Sequence, residues 1–560
     1  MGKSKKDLEN EEEQSSATTH AIAMSIQKNE KFITLRDTGL LYYFNPEDGQ
    51  YHEGETFLKE IIRKKTNSTF STYLLREVTE MVKIDSYLEP ENFTCPVEWI
   101  NLKNGAYNLK TGEFIRRMKK PEPDVTVERR IQELEKKREL RLKELKEKHK
   151  KDTLGMDAVD AMDVDEEFRI NIRKIGNEFL LLINKERTKL NAEIQKWRQD
   201  QIDIFGKFNF TITIPVKFDP EASCPKIDAF FQEVQNGNDN VERLYELFGF
   251  CLWKDYQIKR FVIFLGDHDT GKSTTANLLT IFLGDANVSG LSMQAIIDDK
   301  FDRIKLHRRL ANISGELAPH FIRDTSLIKQ LTGRDPISVR LMHSQKDFKF
   351  KNFAKLIFLA NEIPSTYETD GGYFSRTEIW EFSKQFNSGS TMNENILDEI
   401  VTESELSGLF NRSVKALREL LKNGKFTGSR TSEEKKQAYL IQANPFKVYI
   451  ENRIGYFWDD PSCDNPEDFT IRKDQLFQDS VTWCRDNDVQ AWTENMFYRR
   501  VNAYFLKNGI RSHRSSKNGS EYYSGIYFKE ILNVPENHRT PPDTSENTAP
   551  ENNGTYIDNL

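Results

Sequence analysis

The chain has 560 residues and carries 81 Lys plus Arg against 88 Asp plus Glu, a formal net charge of −7. That length implies about three or four domains, because a single core stops growing near ~250–300 residues, and the acidic balance excludes a global positive field, so any nucleic-acid contact must come from local basic surfaces. Five cysteines with no CxxC pair argue against a zinc site or disulfide framework, and no apolar run approaches the ~18 residues of a membrane span.

The polar N-terminus lacks the apolar stretch of a signal peptide. A soluble, intracellular protein with no membrane partner is expected. Residues 1–28 and 533–560 are charged or Pro/Asn/Glu-rich and read as disordered tails. Residues 29–117 mix aromatic clusters with turns at Asp48-Gly49 and Asn104-Gly105, where positive φ is tolerated, and predict a small α+β, or else mostly helical, accessory domain.

Composition shifts after Pro121 and Pro123 to a run of Glu, Lys, Arg, Leu and Ile. A second stretch places Ile175, Phe179, Leu182, Leu190, Ile194 and Trp197 at three- and four-residue steps. Residues 118–205 are therefore expected to be a coiled-coil-like helical hairpin inserted into the accessory domain, either a clamp on DNA or a partner, or a solvated spacer. The accessory fold resumes over 206–256.

The next region, 257–435, carries the chemistry. An apolar run, Phe261–Leu265, leads into the P-loop string GDHDTGKS and then a helix-forming segment from Thr274. Strand, phosphate-sized loop and helix start follow in the order that cradles a nucleotide. Gly266, Asp267, His268, Asp269, Thr270, Gly271, Lys272, Ser273 and Thr274 are the candidate nucleotide-binding residues, with Lys272 reaching the β/γ-phosphates and the Ser273 hydroxyl holding Mg²⁺. ATP and Mg²⁺ are the expected cofactors.

Downstream, the short strand RLANIS ends at Gly315-Glu316, placing Glu316 to hold Mg²⁺ or activate water. A helix closing at Gly333 precedes a predicted β-hairpin with a polar tip containing His343 and Lys346. The buried strand AKLIFLA delivers Asn361 to its C-terminal end, where open α/β sheets bind ligands. Arg376 precedes a further strand, placed either as a finger for a neighbouring subunit or as a surface ion pair.

Residues 440–532 predict a helix, Glu494–Lys507, capped by Thr493, with Phe497, Val501 and Phe505 inside and Arg499 and Arg500 outside. A hairpin bearing Arg514 and Lys517 follows. Helix plus basic hairpin is a winged-helix signature for DNA contact, the alternative being an oligomerisation or partner-docking domain.

The ordered set GDHDTGKS, RLANISGEL, LIKQLTGRDPISVR, AKLIFLANEIP and YFSRTEIWEF resembles the superfamily 3 helicases, in particular the poxvirus-type and the phage or archaeal-plasmid primase-helicases. The resemblance covers about 30–117 and 206–530. It implies an AAA+-like α/β P-loop core working as a hexamer, with γ-phosphate sensing by Asn361, an arginine finger at Arg376 and a DNA-gripping hairpin at His343 and Lys346. Lys272, Glu316, Asn361 and Arg376 are then the expected catalytic set, acting on single-stranded and forked DNA.

Two departures stand out. Gly315 occupies the place where many family members carry a second acid, and only a short charged tail precedes residue 30, so a separate primase or polymerase is the expected partner. The expectation is a replicative DNA helicase of a plasmid, virus or provirus; the rivals are a remodelling or packaging ATPase, an RNA-directed enzyme, and an origin-binding scaffold that uses ATP only to assemble.

Overall fold

The computed structural model describes residues 19–66, 71–121, 125–154, 160–236, 241–315, 317, 322, 324–340, 347–366, 371–386, 393, 395–459, 469–487, 489–510, 512–514 and 521–529. They fall into two compact units, 1–436 and 437–560.

Helix α1 (19–29) opens the first unit, where a disordered tail was expected through residue 28. Ala23 and Ile26 are buried against Leu58 and Ile62 of α2 (Glu55–Thr66) and Val78 and Val82 of α3 (Thr72–Asp85). An apolar stripe this short is masked in the sequence by its Ser/Thr-rich flank, and it needs those two helices to bury it. Between α1 and α2 run the antiparallel strands β1 (Phe32–Leu35), β2 (Leu41–Asn45) and β3 (Gln50–Glu53), and β4 (Tyr87–Leu88) joins β1 in parallel. The Asp48-Gly49 turn has its positive φ at Gly49 (+69°).

A second sheet has the order β7-β6-β5-β8 among its described strands, from β5 (Trp99–Leu102), β6 (Gly105–Asn108), β7 (Phe114–Arg116) and β8 (Thr213–Ile214). Gly105 is not a positive-φ turn residue as expected. It starts β6, and a Cβ there would lie 2.2 Å from the Ile115 carbonyl oxygen, so the close approach of β7 requires the glycine.

The charged segment forms two antiparallel helices, α4 (Val125–Asp152) and α5 (Asp160–Phe205), interposed between β7 and β8 of that one sheet. Phe179, Ile183 and Trp197 are buried, while Leu182, expected inside, is 40% exposed and Ile183 takes its place. The Trp197 indole donates to the Met118 carbonyl (3.0 Å) at the base of the arm, and towards its tip His149 stacks on Phe168 and pairs with Asp165 (2.8 Å).

Helices α6 (Pro225–Val234) and α7 (Val241–Leu252) lead into a parallel sheet of described strands in the order β10-β11-β14-β9-β15. Its members are β9 (Phe261–Leu265), β10 (Val288–Ser289), β11 (Ala311–Ser314), β14 (Lys355–Ala360) and β15 (Thr377–Glu381). Every residue of β9 and β14 is buried, the continuous burial expected of a sheet covered on both faces. Helix α8 (Lys272–Leu283) follows β9, and α9 (Met293–Asp298) follows β10.

Helix α10 (Ser326–Leu331) precedes the antiparallel hairpin β12 (Pro336–Arg340) and β13 (Asp347–Lys351). Helix α10 ends at Leu331, two residues before Gly333, and the left-handed residue between it and β12 is Arg334 (φ +70°). Helices α11 (Gly371–Phe374), α12 (Ile396–Ile400) and α13 (Glu403–Asn423) complete the sheet's cover. One continuous core runs from Ile100 and Ile214 of the second sheet through α6 and α7 to Phe264, Leu279 and α13. Helix α13 crosses α7 so closely that a Cβ at Gly249 would lie 2.2 Å from the Ser413 carbonyl oxygen.

Helix α14 (Ser432–Ala443) leads to the second unit, which has its own core. There α15 (Pro445–Arg453) precedes β16 (Ile454–Tyr456), β17 (Thr470–Arg472), α16 (Lys473–Asp486), α17 (Glu494–Lys507), β18 (Ser512–Arg514), β19 (Glu521–Ser524) and β20 (Ile526–Phe528). β17, β19 and β18 form an antiparallel sheet behind α16 and α17, and β20 pairs with β16. Among the described residues no helix is long and apolar enough to cross a membrane.

Candidate functional site

Strand β9 ends at Leu265 and the chain turns through Gly266–Gly271 into α8. Asp269 (φ +57°) and Gly271 (φ +85°) take left-handed conformations, which draws the loop into a tight ring above the end of β9. Both glycines are enclosed: a Cβ at Gly266 would lie 2.4 Å from the Phe382 carbonyl oxygen, and one at Gly271 2.7 Å from Cγ1 of Val234. Gly271 is the N-cap of α8 and offers no side chain to the first amides of that helix. A 12-residue helix therefore begins with its uncapped N–H groups and positive dipole end beside the loop.

The Lys272 ammonium occupies the ring, donating to the Gly266 carbonyl (2.6 Å), the Asp267 carbonyl and Thr270 Oγ1 (3.2 Å). Burial lowers its pKa from the ordinary value, and the carboxylates of Asp267 and Asp269 oppose that shift. The result is a cation held by neutral dipoles in a partly desolvated place, where an anion would be a better partner.

A cavity of about 870 Å³ opens over this loop. His268, Asp269, Thr270, Gly271, Lys272, Ser273 and Thr274 line it, as does Asn361, which follows β14 and is exposed. Gly315 and Leu317, either side of Glu316, line it too. Glu316 itself lies outside the described residues. The Leu317 amide donates to the Leu359 carbonyl (2.7 Å), tying the segment after β11 to the adjacent β14. Residues from three strand ends thus converge at the C-terminal edge of a parallel sheet, where such sheets place their ligands.

Residues 264–376, from within β9 to Arg376, match the model of a family of unknown function, DUF5906. No curated protein matches the chain. Among solved structures the chain is similar to apo forms of the C-terminal region of NrS-1. The A form shares 13% identity over 58% of this chain and 88% of that chain, with a TM-score of 0.30. The A form of residues 305–718 shares 15% over 57% and 79%, with a TM-score of 0.32.

Arg376 is not at this cavity. It precedes β15, whose first residue pairs with Phe261 at the start of β9, so it sits at the opposite edge of the sheet. Its Nη1 donates to the Gly372 carbonyl (2.5 Å), and its buried Nε has no hydrogen-bond partner among the described residues. His343 and Lys346 lie outside the described residues; the hairpin that carries them closes to the pair Arg340 and Asp347.

In the second unit α17 buries Phe497, Val501 and Phe505 and exposes Arg499 and Arg500, as its periodicity predicts. Thr493 stands at the N-cap, but its side chain makes no capping bond, so the expected cap is positional only. Arg514 lies on β18, with its side chain outside what is described, and Lys517 lies beyond the described residues. Cys95, Cys224, Cys251 and Cys484 are free thiols.

Sequence reasoning missed the far wall of the cavity: Phe230 and Glu233 from α6, Phe386 beyond β15, and Asn393, Ile396 and Leu397 around the start of α12. The Phe386 amide donates to the Asp269 carbonyl (2.9 Å), fastening this wall to the loop. The available signal was the segment SCPKIDAFFQEV, residues 223–234, which lies inside the 206–256 stretch read as accessory domain.

Proposed function

We propose that this chain is an ATP-dependent DNA helicase acting in replication as a homo-oligomeric ring. The observation that carries the reading is the Lys272 ammonium held in a glycine ring at the uncapped N-terminus of α8, inside a cavity large enough for a nucleotide. Enclosed glycines, free helix amides and a cation awaiting an anion fit a polyphosphate.

In this reading Lys272 exchanges its carbonyl partners for phosphate oxygens. Ser273, at the start of α8, and Glu316 hold Mg²⁺, which when bound neutralises phosphate charge. Asn361, on the neighbouring strand end, orients the attacking water or senses the terminal phosphate. Arg376 serves the site of an adjacent subunit: it lies a full five-residue strand, about 17 Å, from its own cavity, and a finger supplied in trans stabilises the charge of the transferring group.

The order β17, α16, α17, β18, β19 supports a winged-helix reading of the second unit, with Arg499 and Arg500 of α17 and the β18–β19 hairpin, carrying Arg514 and Lys517, facing DNA. The β12–β13 hairpin, with His343 and Lys346 at its tip, tracks the single strand.

The test is strand displacement on forked DNA and on forked RNA with ATP and Mg²⁺, alongside mass measurement of the oligomer. DNA displacement by a ring, abolished in Glu316→Gln while ATP still binds, is the expected result. ATP hydrolysis without displacement would replace the helicase reading with a remodelling or packaging ATPase, and full function in Glu316→Gln would leave only an assembly scaffold.

A further inference from the structure

The cavity extends to both sides of β9. Towards β14 and β11 it is mixed, with Asn361 and Glu362 beside Leu317, Leu359 and Ala360; its aromatic lining is elsewhere, Phe230 from α6 and Phe386 beyond β15, with Ile396 and Leu397 near them in the lining. Such an apolar wall has no use for a phosphate. It suits a flat, weakly hydrated ring stacked on an aromatic face.

Three features make the wall a built one. Phe386 is anchored by its amide to the Asp269 carbonyl, and its ring edge would lie 3.6 Å from a Cβ at Gly271. Phe230 and Glu233 sit one turn apart on α6, whose Val234 meets Gly271, so the same helix touches both the loop and the apolar end. Lys384 lies over the Phe386 ring (5.0 Å) and pairs with Glu233 Oε1 (2.9 Å), which fixes the carboxylate and leaves its other oxygen to accept.

The polar side chains at this end are not equivalent. Asn393 is committed locally, its Oδ1 accepting from the Asn395 amide (3.0 Å) and its Nδ2 donating to Glu399 (3.0 Å). Among the described residues at this end, the exposed Glu233 keeps a carboxylate oxygen for an incoming donor.

We propose that Phe386 and Phe230 form a nucleobase clamp and that Glu233 is its specificity-determining residue, selecting a purine that presents an exocyclic amino group. The inference rests on the nucleotide reading of the Gly266–Ser273 loop and adds to it the recognition of the base.

The experiment is equilibrium binding by the full chain of three probes: ATP, purine riboside triphosphate (ATP lacking the 6-amino group) and inorganic tripolyphosphate. Wild type should bind ATP about tenfold more tightly than the 6-deamino analogue. Phe386→Ala should weaken ATP by about tenfold or more while leaving tripolyphosphate unchanged, which also shows that the loop is still folded. Glu233→Ala should equalise ATP and the analogue.

Unchanged ATP affinity in Phe386→Ala, or equal losses of ATP and tripolyphosphate, would overturn the clamp. A surviving amino-group preference in Glu233→Ala would overturn the selector. Failure of the underlying reading looks different: wild type would bind no tripolyphosphate and Lys272→Ala would not affect ATP.

Discussion

The two edges of the parallel sheet are built from the same strands and hold similar residue types, yet they differ in whether their charges are spent. At the N-terminal edge Glu378 of β15 is 5% exposed and accepts from Arg260 (3.1 Å), Ser429 (2.7 Å) and Lys435 (2.5 Å). Lys355, the first residue of β14, is 1% exposed and donates to the carbonyls of Trp253 (2.6 Å) and Phe353 (2.8 Å) under the rings of Phe250 and Tyr256. At the C-terminal edge Lys272 has only loop acceptors, and Asn361 faces an open cavity. Charge enclosed by its partners within the chain, as at Glu378 and Lys355, serves the fold, whereas charge that borders an open cavity is available to a ligand.

If that contrast is right, substitutions at the two edges separate into stability and turnover. Glu378→Ala strands the buried Lys435 and the half-buried Arg260, and we expect a loss of about 3 kcal/mol in unfolding free energy, read by chemical denaturation. A change below 1 kcal/mol would show that the edge is solvated and break the comparison. Lys272→Ala should do the reverse, leaving the unfolding midpoint within a few degrees of wild type while ATP turnover falls by roughly 10²–10³-fold. A large loss of stability there would mean that the lysine chiefly holds its own loop.

Asn361→Ala should be milder, lowering turnover by roughly 10–10²-fold with ATP affinity intact, if it orients rather than binds as proposed. Loss of affinity equal to the loss of turnover would move Asn361 into ground-state binding. A pH-dependent test concerns Lys355, whose pKa burial pushes down to about 7. Its folded pKa lies below the unfolded value, so the cost of burying its charge is complete below pH 7 and relieved as pH rises towards 10.5. This residue's contribution to stability should climb by at most about 1.4 kcal/mol per pH unit across that window, and Lys355→Met should flatten the slope. An unchanged slope would show that the ammonium stays charged in the fold.

Elements whose signal is local were legible. The five buried residues of β9, the glycine–lysine loop, the start of α8 and the stripe Phe497, Val501 and Phe505 of α17 each depend on residues a few positions apart. Helix α1 was not legible, because Ala23 and Ile26 make a stripe only when α2 and α3 supply its other side. On α5 the choice of Ile183 over Leu182 turned on the small rotation that faces α4, which three- and four-residue steps do not resolve. Gly105 looked like a turn glycine and proved to be a packing glycine, a distinction set by β7.

The sequence by itself determined the Gly266–Ser273 loop, since strand, glycine ring, Lys272 and helix start are contiguous and their geometry follows from backbone conformation over a dozen residues. Only the tertiary structure decided what stands opposite. The order β14-β9-β15 puts Asn361 on one side of the loop and Phe386 on the other, and the packing of Val234 on Gly271 brings Phe230 and Glu233 to the same cavity from more than thirty residues earlier in the chain. It also sent Arg376 to the far edge, because parallel pairing with β9 places the beginning of β15 where the loop is not.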